Sequence, residues 1–257
     1  MIKISVAVIT YNEEDNITRC LQSVKGLADE IVVIDSLSED KTPQKAEAMG
    51  AKVIKRPFPG HIEQKNFAVD QTKFDWVLSL DADEALSPKL RDSLQKIKKD
   101  GAPPGQHGFF FNRLTNYAGL WIKHCGWYPD KKLRLFHKNH ARWAGMNPHD
   151  IIEMKPQSKT GFLLGDLLHY SYTSISDHVN QTNKFTTIAA KAAFSKGIRS
   201  NHFKIITRPP LKFIRDYFWK RGILDGRYGF TICLINSLSA LLKYSKLKDL
   251  QEGKRID

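Results

Sequence analysis

Trp76-Val77-Leu78-Ser79-Leu80-Asp81-Ala82-Asp83 is an apolar run that stops abruptly at two carboxylates two residues apart. A buried strand ending this way presents hard oxygen ligands at the carboxyl edge of a sheet, which is where open α/β sheets bind ligands. Carboxylates in that place suit Mg2+ or Mn2+, with phosphate oxygens completing the shell. A D-x-D pair also occurs in solvated turns after strands, so its weight comes from the chain around it.

Upstream, the chain alternates regularly. Residues 4–9 read as a buried strand, and Ile17, Cys20, Leu21 and Val24 follow at helical spacing, with Asn12 as the expected cap. Residues 31–35 form a second strand. Thr42-Pro43 opens a short helix, Thr as N-cap and Pro in its first turn, which Gly50 closes. A third strand at 53–55, a helical stretch around 62–69 and a fourth strand at 76–80 complete the pattern. Continuous apolar strands alternating with helices predict an α/β fold with a mainly parallel central sheet, covered on both faces.

At 257 residues the chain can bury a sizeable core. Cys20, Cys125 and Cys233 lack metal spacing, and their odd number argues against a disulfide framework. The N-terminus enters its first strand without a signal-peptide pattern, and no apolar run reaches the length of a membrane span. The expected setting is therefore cytoplasmic. The net charge of +13 is unevenly spread: residues 181–257 hold 16 Lys and Arg against 5 Asp and Glu. These cations are interleaved with Phe203, Phe213, Tyr217, Phe218, Trp219, Tyr228 and Phe230. Helical segments of that composition suit an anionic membrane surface, single-stranded nucleic acid or a merely solvated basic face alike.

The motifs that are missing narrow the chemistry. No G-x-G-x-x-G follows the first strand and no G-x-x-x-x-G-K-[ST] occurs, which argues against a dinucleotide cofactor and a P-loop. Instead the first strand runs into Thr10-Tyr11-Asn12-Glu13-Glu14 and the second into Asp35-Ser36. An acidic residue closing the second strand is well placed to accept hydrogen bonds from a ribose or base. Polar strand ends for a nucleoside and a metal on Asp83 for its diphosphate describe a nucleotide-sugar site.

T-Y-N-E-E at 10–14, D-S-L-S-E-D-K-T at 35–42, Q-K-N at 64–66 and D-A-D-E at 81–84 resemble the donor half of family 2 glycosyltransferases with the GT-A fold. G-W-Y-P-D at 126–130, L-R-L-F at 133–136, N-P-H-D at 147–150, G-I-L-D-G at 222–226 and K-Y-S-K at 243–246 resemble bacterial lipopolysaccharide inner-core heptose glucosyltransferases. The resemblance implies that Tyr11, Asn12, Glu13 and Asp35 hold uracil and ribose and that Lys65 approaches the diphosphate. It implies that Asp81 contacts ribose or the metal's hydration shell, and that Asp83 ligates Mn2+ or Mg2+, with His169 as a further ligand candidate. Asp150 matches the position of the general base, where the related pattern more often has Glu, and His149 beside it could orient it or meet the acceptor. Arg134 alternates with its apolar neighbours, and the sequence leaves open whether it faces the cleft or solvent.

The implied organisation is a nucleotide-sugar half at 1–101, an acceptor and base region at 102–180 and a basic, membrane-associating helical region at 181–257. The implied reaction is inverting, metal-dependent transfer of a hexose, glucose by resemblance, from a UDP-sugar to a lipid-linked core oligosaccharide. It would occur at the anionic inner face of the cytoplasmic membrane. Alternatives are the same fold acting on polyprenyl phosphate or another glycan, and a basic nucleic-acid-binding protein. The paired D-A-D and His149-Asp150 argue against the last, so no nucleic acid is expected as partner.

Overall fold

The computed structural model describes residues 1–146 and 149–256, Met146 and His149 in their backbone alone. Asn147 and Pro148 of the N-P-H-D motif lie outside the described residues. The chain packs as two compact units, one of Met1–Leu114 and Asp130–Tyr170, the other of Thr115–Pro129 and Ser171–Asp257.

The first unit opens as the alternation predicts: β1 (Ile4–Thr10), α1 (Ile17–Val24), β2 (Glu30–Asp35), α2 (Thr42–Ala48), β3 (Lys52–Lys55), α3 (His61–Asp70) and β4 (Trp76–Asp81). Strands β1, β2, β3 and β4 are mutually parallel, with β1 between β2 and β4. Val6 and Val8 of β1 point into a core completed by Ile17, Cys20, Leu21 and Val24 of α1. Ala7 points the other way, with Val32 and Ile34, toward Ala68 and Val69 of α3. Both faces of the strand are covered, which is why it reads as an unbroken apolar run rather than an alternating one.

Beyond β4 the pairing changes. The chain continues through β5 (Glu84–Leu86), α4 (Pro88–Asp100), β6 (Gln106–Tyr117), β7 (Leu120–Ile122), β8 (Asp130–His137), β9 (Ala141–Met146), β10 (His149–Met154) and β11 (Lys159–Tyr172). The main sheet runs β3-β2-β1-β4-β8-β6-β11-β5, with β4–β8, β6–β8 and β5–β11 antiparallel. The sheet is thus mixed: its first half is parallel as expected, and its second half is antiparallel. Strands β6 to β11 follow one another without the crossover helices that parallel pairing requires. Gly165 lets β11 press against α4, because at its φ of 103° a Cβ would stand 2.2 Å from the Leu90 nitrogen.

Two expected caps are corrected. Asn16, not Asn12, occupies the N-cap position of α1, and Lys41, not Thr42, that of α2. Thr42 Oγ1 instead accepts the Glu13 N–H at 2.8 Å, and Asn12 Oδ1 accepts the Glu39 N–H at 2.9 Å. Residues that would cap a helix are used to lace the loop after β1 to the loop after β2. Ser, Thr and Asn serve either purpose with the same hydrogen-bonding chemistry.

The second unit is mainly helical: α5 (Ile175–Ser195), α6 (His202–Ile214), a π-turn (Arg215–Trp219), a 3-10 turn (Gly222–Asp225) and α7 (Gly226–Gln251). Ser174 and Asp177 form a reciprocal capping box at the start of α5. Lys246 of α7 reaches back to α5, donating to the Asn183 carbonyl at 2.9 Å and to Thr187 Oγ1 at 2.7 Å. Tyr117, Ile122, Cys125, Ile232 and Cys233 form a small core. Among the described residues no helix is long and apolar enough to cross a membrane.

Candidate active site

Lys65 is the pivot of a charge cluster at the carboxyl end of β4. It lies on α3 in phase with Gln64, Ala68 and Val69, all buried, so the helix packs a lysine where an apolar residue would ordinarily sit. Its ammonium meets Asp150 Oδ2 at 2.8 Å and Asp81 Oδ1 at 3.0 Å. Asp150 reaches it because the β9–β10 hairpin pairs Ile152 with Trp143, and Asp150, two residues along, shares their face. The Trp143 ring lies 4.4 Å from the ammonium. Asn66 fixes that hairpin by donating to the Trp143 carbonyl at 2.8 Å and accepting the Trp143 N–H at 3.1 Å.

Arg134 completes the cluster from β8. It is buried, and its Nη2 donates to Asp81 Oδ2 at 3.0 Å and to Glu84 Oε1 at 2.8 Å. The face that the sequence left open is therefore the cleft face. Glu84, fully buried, also accepts the Asp81 N–H at 3.0 Å, so it fixes the backbone of the D-A-D turn. Burial alone would raise the Asp81 pKa, but Lys65 and then Arg134 outweigh it and hold that carboxyl well below the usual carboxylate range. Burial likewise opposes the charge on Arg134; Glu84 and Asp81 more than offset it and raise its pKa. Lys65, Asp81, Arg134, Trp143 and Asp150 line a cavity of about 430 Å3, with Arg113, Lys131 and Lys132 on its wall.

The remaining predicted donor residues stand at the ends of β1 and β2. Asp35 is fully buried; its Oδ2 accepts the Ser38 N–H at 3.0 Å, while Oδ1 has no partner among the described residues. Thr10 Oγ1 and Gln64 Oε1 are likewise buried without partners. Thr10 sits beside Asp35 in the β1–β2 register, and Gln64 donates to Ser36 Oγ at 3.1 Å. Buried polar atoms left unpaired are costly unless something else satisfies them. Tyr11, next along, is 55% exposed. Glu13 accepts from Asn16 Nδ2 at 2.7 Å; burial raises its pKa, and Asp83 and Asp40 add to the rise. Asn12 has its carbonyl oxygen committed to the loop contact described above.

Asp83 and His169 form a separate pair. The β5–β11 register sets His169 opposite Glu84, and the Tyr170 N–H donates to the Asp83 carbonyl at 2.9 Å. His169 Nε2 and Asp83 Oδ2 are consequently 3.1 Å apart, while His169 Nδ1 is buried without a partner among the described residues. No group of three or more His, Cys, Asp and Glu that could hold a metal occurs among the described residues. One carboxylate and one imidazole 3.1 Å apart are two of the ligands a Mn2+ or Mg2+ site would need, its other positions being left to substrate phosphate and water. Asp81 is not part of this pair; both its oxygens face Lys65 and Arg134.

Sequence reasoning did not single out Glu84, Asn66 or Trp143. Glu84 and Asn66 carried a signal, standing inside the quoted motifs D-A-D-E and Q-K-N. Trp143 carried none.

The model of the family described as glycosyl transferase family 2 matches residues 5–153. The chain is 33% identical to an uncharacterized glycosyltransferase of Rickettsia typhi, over 97% of this chain and 88% of that one. It is 27% identical to the lipopolysaccharide core biosynthesis glycosyltransferase LpsC of Rhizobium meliloti, over 95% of this chain and 91% of that one. Among solved structures, glucosyl-3-phosphoglycerate synthase of Mycobacterium tuberculosis, crystallised with Mn2+, UDP and its product, superposes with a TM-score of 0.37. That match has 27% identity over 45% of this chain and 44% of the other, and carries nothing about the site. The matched family model spans β1 to β10, the segment that builds both the parallel sheet and the Lys65 cluster, and the chain belongs to glycosyl transferase family 2, with an α/β fold of the GT-A type.

Proposed function

We propose that this glycosyltransferase is an inverting hexosyltransferase that moves a hexose, glucose by resemblance, from a UDP-sugar to the heptose region of a lipid-linked lipopolysaccharide core. The observation that carries the proposal is the bridge made by Lys65. Its ammonium joins Asp150, the expected base, to Asp81 at the end of the D-A-D strand, inside a cavity of about 430 Å3. A base held beside the donor's anchor is the arrangement a direct displacement needs, with the reacting groups pre-positioned. Whole-length similarity to LpsC supports the core-oligosaccharide acceptor.

In this reading the unpaired oxygens of Thr10, Asp35 and Gln64 take up the nucleoside, and Tyr11 covers the base. Asp83 and His169 would hold Mn2+ or Mg2+, which when bound supplies Lewis-acid compensation for charge on the departing diphosphate. Asp150 accepts the proton of the acceptor hydroxyl as that oxygen attacks the anomeric carbon. The new glycosidic bond forms on the face opposite the breaking bond to the diphosphate, so configuration inverts. Lys65 compensates the charge of Asp150 before the proton arrives, and Arg134 keeps Asp81 in place. The basic second unit rests on the anionic inner face of the cytoplasmic membrane, where the acceptor is anchored.

Incubating the enzyme with a panel of nucleotide sugars and Mn2+ or Mg2+ tests the donor. Hydrolysis or transfer of a UDP-hexose above the others is expected. Binding of no nucleotide sugar would overturn the reading.

A further inference from the structure

We infer that α6 and the π-turn after it are an interfacial anchor whose outer face enters the acyl boundary of an anionic leaflet. This deepens the membrane-surface reading above and rests on it for the choice of partner. Helix α6 has 13 residues and none of them is buried. Phe203, Ile206, Pro210 and Ile214 recur at helical spacing on one face, and Leu211 adjoins them. Phe203 is 74% exposed, Ile206 71%, Leu211 60% and Trp219, at the end of the π-turn, 79%. A surface helix of a soluble protein turns such a face inward, and this one turns it outward.

The element is held from within the unit. Ser237 of α7 donates to the Pro209 carbonyl at 2.8 Å, and the Phe213 ring meets Phe230 at 5.7 Å and Tyr217 at 5.3 Å. The outer apolar face is therefore presented by a fixed helix, not by a fraying one.

Charge selects the occupant. Residues 202–221 contain Lys204, Arg208, Lys212, Arg215, Lys220 and Arg221 against one carboxylate, Asp216. Asp216 is buried and already paired with Arg215 at 2.8 Å and Lys220 at 3.6 Å. An apolar face bordered by cations matches acyl chains beneath anionic headgroups, with Trp219 at the interfacial level that tryptophan favours. A second copy of this chain would set the same cations against one another across a two-fold axis. Phe203 and Trp219 could stack on bases, but the aliphatic Ile206, Leu211 and Ile214 between them break the aromatic track that single-stranded nucleic acid needs. Thirteen helical residues reach about 20 Å, short of the roughly 30 Å hydrocarbon core, so the element lies in the interface instead of spanning it.

The test uses the full chain with mixed phosphatidylethanolamine–phosphatidylglycerol vesicles, a fraction of whose lipids carry brominated acyl chains that quench nearby tryptophan. Bound wild type should be quenched. Trp219→Phe should remain bound and lose most of that quenching. The triple variant F203S/I206S/L211S should lower vesicle partitioning by at least about tenfold. Its UDP affinity, read by calorimetry, should stay unchanged, which separates this proposal from the donor-site reading. Binding without quenching would show adsorption by charge alone and overturn the anchor. So would failure to bind vesicles, or a concentration-dependent dimer that the triple variant dissolves.

Discussion

Arg134→Met removes the cation shared by Asp81 and Glu84 while keeping most of the side chain's volume. Glu84 is fully buried and would lose its 2.8 Å partner, retaining the Asp81 N–H at 3.0 Å and Arg113 at 3.6 Å. Asp81 would keep Lys65. The carboxylate that loses its nearest cation is thus Glu84, and removing one partner of a buried ion pair costs about 3–5 kcal/mol. For a chain of this size each kcal/mol moves the melting midpoint by about 2–4 °C, so the variant should melt roughly 6–20 °C lower. Calorimetric melting of the wild type, R134M, Glu84→Gln and the double variant at neutral pH closes the cycle. Glu84→Gln added to R134M should recover most of the loss, because it removes the charge left with only the more distant Arg113. A midpoint for R134M within about 2 °C of wild type would refute the reasoning, since a desolvated pair cannot lose one charge at so small a cost.

The same cluster has a pH signature of defined sign: the folded Asp81 carboxyl titrates below its unfolded counterpart near 3.9. Its contribution is complete above about pH 5 and is lost as pH falls below about 4, toward the folded value. His178 acts in a higher window. Burial pushes its pKa down to about 4, and it is 3.1 Å from the Tyr117 hydroxyl. As pH falls from about 6.5 the unfolded chain takes up a proton that the folded chain refuses, so stability should drop by up to about 3 kcal/mol by pH 4. Denaturant melts across that range should be flatter in His178→Phe; an unchanged slope would remove His178 as the cause. Asp83→Asn should keep the melting midpoint within about 2 °C while weakening Mn2+ binding in the presence of UDP at least about tenfold, since an ionised ligand is lost. Unchanged Mn2+ affinity would place the metal elsewhere.

The first half of the fold was legible because its signals are local. Ile17, Cys20, Leu21 and Val24 repeat at helical spacing over about two turns, and the same four residues are buried in α1. The antiparallel half was not, because the pairing of β6, β8 and β11 joins residues far apart in sequence. The direction of Arg134 was undecidable for a related reason: alternation along β8 shows that Arg134 and its neighbours face opposite ways, not which way the cleft lies. Thr42 misled because one hydroxyl can cap a helix or tie two loops, and only the neighbouring Glu13 N–H decides. At the site, Asp81, Asp83, Lys65 and Asp150 were all named from the sequence. Asp83 and His169 were expected together; what the sequence could not show is that Lys65 gathers Asp81 and Asp150 into a cluster apart from that pair. Nothing in the spacing of Asn66 and Trp143 hinted at the clasp that fixes the hairpin under Asp150.

The assignment of Asp150 as the base, held by Lys65 beside the donor site, is tested most directly by Asp150→Asn. The substitution keeps size and lets Lys65 retain Asp81. Turnover of the UDP-hexose and UDP affinity by calorimetry should be measured on the same preparation. Turnover should fall by about 10²–10⁴-fold, with UDP affinity held within about twofold, because the proposed nucleoside contacts lie on β1, β2 and α3. Near-normal turnover would move the base elsewhere, with exposed Glu153 of β10 the next candidate. A parallel collapse of UDP affinity would make Asp150 a structural residue and contradict the account.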